Sequence, residues 1–182
     1  MGQPERSKKD AEPMSSTQTG GDPNDDAGDS AAQRQDCLIG WVRSYFHDFS
    51  EGRFSLVEDP IDPGRIVHPH VHAHEDEFSY ILEGEIGARV GDEVVQATTG
   101  SYVFKPRALP HTFWNATTQP ARLLELISPA GFEQYFAELA DLLRAGGDVD
   151  QITKLAQRYG MELRMDWVPE LCAKYKLKLV GE

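Results

Sequence analysis

Five of the chain's six histidines fall between residues 68 and 111, and four of them alternate: His68, His70, His72 and His74. Alternate residues of an extended chain share a face, so one strand could offer several imidazoles to a common point. An acidic turn, Glu75-Asp76, follows, Glu77 opens the next run, and His111 stands 34 residues further on. Neutral imidazole nitrogens joined by a carboxylate suit a mid-row divalent metal ion. The same alternation would also serve an exposed histidine patch, and a lone His111 would serve as a structural residue. Spacing alone leaves open which of the alternating histidines take part.

Strands are needed to bring such residues together, and the chain supplies them. Between Cys37 and Ser128 short apolar runs alternate with turn residues. Phe54–Glu58 precedes a Pro/Gly turn at Asp59–Gly64. Phe78–Leu82 runs into Glu83-Gly84, and Ile86–Val90 follows. Gly91-Asp92 reads as a hairpin turn into Val94-Val95. Ser101–Lys105, Thr112–Ala116 and Ala121–Ile127 complete the set. Many short strands at this spacing predict an antiparallel sandwich or barrel, a mainly β fold. If Glu77 points inward, so do Ser79 and Ile81, with Phe78 and Tyr80 outside. If His111 points inward, so do Phe113 and Asn115, with Trp114 turned toward whatever follows.

After Ser128 the apolar period lengthens. Pro129 suits a first helical turn, and Phe132, Phe136, Leu139 and Leu143 share one helical face. A second helix is predicted over Asp150–Tyr159, with Ile152, Leu155, Ala156 and Tyr159 as its stripe and Gly160 at its stop. A third begins near Pro169 and carries Leu171 and Tyr175. These stripes need a surface to cover, either the barrel or a second subunit, and a homodimer is the expectation. Residues 1–36 contain no aromatic residue and read as a disordered tail. The organisation expected is therefore a tail over 1–36, a β-barrel over 37–128 and a helical extension over 129–182. No internal repeat is present, so one barrel is expected.

Composition narrows the partners. A net charge of −12 argues against nucleic acid, whose phosphates call for clustered Lys and Arg. Nothing long and apolar enough to span a bilayer occurs, and the first thirty residues hold no apolar signal segment, so a cytoplasmic location is expected. The two cysteines, Cys37 and Cys172, are far apart and read as reduced thiols.

Two motifs in order resemble the cupin family. Gly64, five residues, His70-Val-His72, four residues, Glu77, six residues and Gly84 match the first cupin motif. Gly100, five residues, Pro106, then His111, three residues and Asn115 match the second, with Ala108 where the family usually has Gly. The resemblance implies a single jelly-roll-like cupin barrel with a C-terminal helical extension. It implies His70, His72, Glu77 and His111 as ligands to one divalent transition metal, Fe, Mn, Ni, Co or Zn. A shifted register using His72 and His74 would place Glu77 off the family spacing. Ser79, Ile81, Phe113 and Asn115 would then line a substrate pocket. The helical segments Ser128–Leu139 and Pro169–Tyr175 resemble those of quercetinase-like bacterial cupins. That points to a metal-dependent oxygenase acting on a small organic substrate, with Glu77 as ligand and proton acceptor. A non-oxidative isomerase, decarboxylase or lyase, and a small-molecule-binding protein without turnover, are the alternatives.

Overall fold

The computed structural model describes two strands, β1 (Arg34–Cys37) and β2 (Val42–Tyr45), and then residues 51–181 without a break. The tail expected over residues 1–36 lies outside the described residues, apart from Arg34–Asp36 within β1.

Alternation of apolar and polar residues builds the strands that follow. They are β3 (Ser55–Ile61), β4 (Arg65–Ile66), β5 (His70–His72), β6 (Asp76–Glu83), β7 (Glu85–Val90), β8 (Glu93–Thr98), β9 (Tyr102–Lys105), β10 (His111–Asn115) and β11 (Ala121–Ser128). One sheet runs β1-β2-β3-β11-β6-β9. In the other, β8, β7 and β10 lie side by side. The far edge of β10 is shared by β5, through His111 opposite His70, and β4, through Trp114 opposite Ile66. The two sheets face each other across a core of Ile61, Ile81, Ile86, Ala88, Ala97, Val103, Phe113, Ala121 and Leu123. This is the mainly β arrangement that the strand spacing predicts, in the jelly-roll form that the resemblance implies.

β3 runs through Pro60 to Ile61, where the sequence suggested a turn from Asp59. Pro60 lies past the end of its pairing with β2, which stops opposite Glu58, so its missing N–H leaves no gap there. Gly91-Asp92 makes the two-residue hairpin, with Val90 opposite Glu93 and Gly91 at φ 57°.

Three helices follow: α1 (Glu133–Arg144), α2 (Val149–Arg158) and α3 (Val168–Tyr175). α1 starts later than Pro129 suggested. The left-handed Gly131, φ 122°, lies between them and cannot belong to a right-handed helix. Asp148 caps α2 in a reciprocal capping box with Gln151. α1 and α2 close one end of the barrel, where Phe132, Tyr135, Leu155 and Ala156 bury against Val57 and Ile127. Phe136 and Leu139 are only partly buried there and Leu143 is exposed, so the buried stripe of α1 runs through Tyr135 and Ala140 instead. The helices thus find their surface on the barrel of their own chain.

The remaining C-terminal residues add two short strands that the sequence did not reveal. β12 (Met161–Leu163) pairs antiparallel with β5, and β13 (Lys178–Leu179) pairs parallel with β4. Between them α3 covers the outer face of β10. Trp114 is fully buried among Ile66, Trp167, Leu171, Leu177 and Leu179, and its ring stacks on Tyr175 at 4.7 Å. The outward turn of Trp114 was expected from alternation. Cys172 packs beside this cluster; the Cys37 side chain lies outside the described residues.

Gly87 stands opposite Trp114, and a Cβ there would come within 2.3 Å of the indole. Gly87→Ala should therefore force the ring or strand to shift. The expected loss is about 1–3 kcal/mol, the usual range for overpacking, read by urea denaturation.

Candidate metal centre

Neighbouring strands aim four side chains at one point. β5 turns both His70 and His72 inward, β10 sets His111 beside His70, and β6 brings Glu77 from the opposite sheet. All four are buried, and one ligand atom from each lies within 4.8 Å of the others. Nε2 of His111 is 3.1 Å from Nε2 of His70 and 3.2 Å from Oε2 of Glu77. Nε2 of His72 is 3.3 Å from Oε1 of Glu77.

The outer nitrogens decide what the inner ones can do. His70 Nδ1 lies 2.6 Å from the His68 carbonyl, and His111 Nδ1 lies 3.0 Å from the Leu109 carbonyl. A carbonyl oxygen only accepts, so each Nδ1 carries the proton and donates it. The two Nε2 atoms then face each other at 3.1 Å, a close approach that a positive charge between them, a proton or a metal ion, satisfies. His72 turns Nδ1 toward Glu75 Oε2 at 3.4 Å, yet both of its ring nitrogens are buried without a well-aimed hydrogen bond. A divalent ion would satisfy all of these groups together, and a buried set of three histidines and one glutamate fits one.

Electrostatics divide the histidines. Burial, then His111 and His72, push His70 well below its ordinary pKa, so it is neutral. Burial also opposes a charge on His72, but Glu77 and Glu75 outweigh it and raise the imidazole to about 9. Burial alone would raise Glu77; Lys105 and then His72 overcome it and hold the carboxyl well below the usual range.

The turns around the centre are tied down. Ala108 takes the left-handed conformation, φ 62°, that its family position normally gives to Gly, and its N–H donates to the His72 carbonyl at 2.7 Å. Asp76 accepts from the Arg107 guanidinium through both oxygens, joining the turn before β6 to the loop before β10. These hydrogen bonds bring Asp76 down to about 2. Phe132, just ahead of α1, sets its ring edge-on to His72 at 4.3 Å and covers the centre from the helical side.

The other residues singled out by sequence are spread through the interior. Ser79 donates to Glu125, while Ile81 and Phe113 sit in the apolar core. Asn115 is fully buried, but its amide donates to the carbonyls of Ile61 and Gln119 and its oxygen accepts from Thr117, so it braces a loop. His74 is exposed beside Gly160, and His68 meets the centre through its backbone carbonyl.

Four polar residues near the centre were not singled out. Glu75 backs His72. Lys105 is buried between Glu77 and Glu125, at 2.9 and 2.8 Å. Asp59 keeps some accessible surface, but burial and then Glu125 push its carboxyl up to about 7. Strand alternation held the signal: Lys105 shares its phase with Val103, and Glu125 shares its phase with Leu123 and Ile127. Opposite charges at inward positions announce a buried pair.

A cupin-domain family model matches residues 60–127, a span that holds all four candidate ligands. The tetracenomycin polyketide synthase protein TcmJ of Streptomyces glaucescens is 34% identical over 67 residues, which are 37% of this chain and 45% of that protein. The chain thus spans less than half the length of this curated relative. Among solved structures, TT1209 from Thermus thermophilus is 27% identical with a TM-score of 0.44, over 56% of this chain and 87% of that one. KdgF from a Halomonas species is 19% identical with a TM-score of 0.46, over 56% and 90%. No helix among the described residues is long and apolar enough to cross a membrane.

Metal titration checks the ligand set. His70→Ala, His72→Ala and His111→Ala should each abolish stoichiometric binding, and His74→Ala should leave it intact. Glu75→Gln should weaken it by about 10–100-fold, the usual effect of losing a partner behind a ligand. The ion needs His72 neutral, whereas the metal-free protein keeps it protonated below about 9. Affinity should therefore rise with pH toward about 9 and fall as pH drops, by up to about tenfold per pH unit from this one proton. Loss in His74→Ala with retention in His70→Ala would move the site to His72, His74 and His111.

Proposed function

This chain belongs to the cupin superfamily, and from that premise we propose that it is a metal-dependent oxygenase of a small enolisable or phenolic compound. The observation that carries the reading is the convergence of three imidazole Nε2 atoms and one carboxylate at one buried point. When bound, a divalent ion there supplies Lewis acidity and, if redox-active, a partner for dioxygen. The three imidazoles and Glu77 would hold such an ion.

The chain's own groups do the rest. Glu77 is held ionised beside Lys105 and is the group assigned to receive the proton of a substrate hydroxyl. Because its proton affinity is low, the transfer suits hydroxyls that the ion has made acidic, which favours enols and phenols over alcohols. Phe132 and the apolar layer of Ile81 and Phe113 keep bulk water from the reacting centre. The likeness to a polyketide synthase protein supports a substrate with several enolisable carbonyls. A homodimer and a cytoplasmic location belong to the same proposal.

Oxygen uptake by the metal-loaded protein across flavonols, polyphenols and β-dicarbonyl compounds tests it. Uptake that depends on both substrate and metal, and falls at least tenfold in Glu77→Gln, is the expected result. Product formed without oxygen would replace it with a non-oxidative isomerase, decarboxylase or lyase. A ligand-induced rise in melting temperature without product would replace it with a binding protein.

A further inference from the structure

Lys105, which the proposed reaction uses only to keep Glu77 ionised, forms a buried ion pair with Glu125, which that reaction does not use. Lys105 is 1% exposed and Glu125 is 4% exposed. The ammonium lies 2.9 Å from Glu77 Oε2 and 2.8 Å from Glu125 Oε2, and 4.9 Å from the centre of the Phe113 ring. The second oxygen of Glu125 accepts from Ser79 at 2.7 Å. Every polar atom of the pair is thus engaged, across two neighbouring cross-strand rows, Val57-Glu125-Ser79-Val103 and Ser55-Ile127-Glu77-Lys105.

Stability is a weak reason for such a pair. Removing two charges from water costs about as much as their attraction returns, and apolar side chains of similar size often serve as well. Location gives a better reason. One end of the pair sits on a candidate ligand, and the other sits further into the barrel. Ion, Glu77, Lys105 and Glu125 would form a line of alternating charge, in a medium where each term counts for more than in water.

From this line we infer that Lys105 is a positioning residue for the metal: it holds Glu77 Oε2, the oxygen beside His111, and leaves Oε1, the oxygen beside His72, for the ion. Glu125 is the counterweight that keeps the ammonium from drawing Glu77 away. The inference rests on the metal reading above. Glu77 is then a single-oxygen ligand of moderated charge, and ion affinity depends on a residue, Glu125, that touches no ligand.

The test uses cobalt(II) with the full chain, reading affinity by chelator competition, coordination by visible absorption and fold by melting of the metal-free proteins. Glu125→Gln keeps the bond to Ser79 but leaves the whole ammonium charge on Glu77, so affinity should fall about tenfold or more. Adding Lys105→Met removes that charge and frees Glu77 Oε2. The double variant should bind at least as tightly as wild type, with an absorption spectrum shifted by the second carboxylate oxygen. A structural role alone would leave the double variant no better than the single one. No recovery, or recovery with the wild-type spectrum, overturns the positioning role while the metal centre stands. Wild-type protein that takes up no cobalt overturns both.

Discussion

The Nε2 atoms of His70 and His111 meet at 3.1 Å, a distance that two bare lone pairs do not keep without a positive charge between them. That constraint organises the interior. It follows from two backbone carbonyls, those of His68 and Leu109, which take the protons of His70 and His111 on the far side of each ring. Each carbonyl lies two residues before the histidine it serves, so the tautomers are set by local chain geometry. Around this unstable grouping the rest of the barrel acts as a clamp: Asp76 on Arg107, the Ala108 amide on His72 and the ring of Phe132. Held together in this way, the four side chains are pre-organised for a cation.

Much of this was legible from residue order. Alternation placed His70 and His72 on one face and sorted Glu77, Ser79 and Ile81 from Phe78 and Tyr80, because a strand has only two faces. The same rule turned Trp114 outward toward the C-terminal residues. What sequence missed depends on residues distant along the chain. The position of α1 on the barrel end favours Tyr135 over Leu143, and a helical stripe cannot tell which of its edges meets the core. β12 and β13 are too short to leave a pattern. Their strand character comes from the partners they meet, β5 and β4.

The buried charges are the instructive omission. Lys105 and Glu125 break the apolar rhythm of two strands separately, and neither break carries meaning until pairing sets both strands beside β6. Read alone, each resembles an outward residue in a shifted register. Read together, they are complementary. The motif residues mark where an ion would sit, while Lys105, at a position the motif leaves unspecified, joins His72 in keeping the Glu77 carboxylate ionised.

β12 bears on how the molecule comes into being. The strand that carries His70 and His72 is flanked by β10 on one side and β12 on the other, with Met161 opposite His72 and Leu163 opposite His70. On a translating ribosome the histidines emerge some ninety residues before the strand that completes their sheet. The sheet around His70 and His72 is thus completed only by residues 161–163, and a chain cut short of them would leave that edge of β5 unpaired.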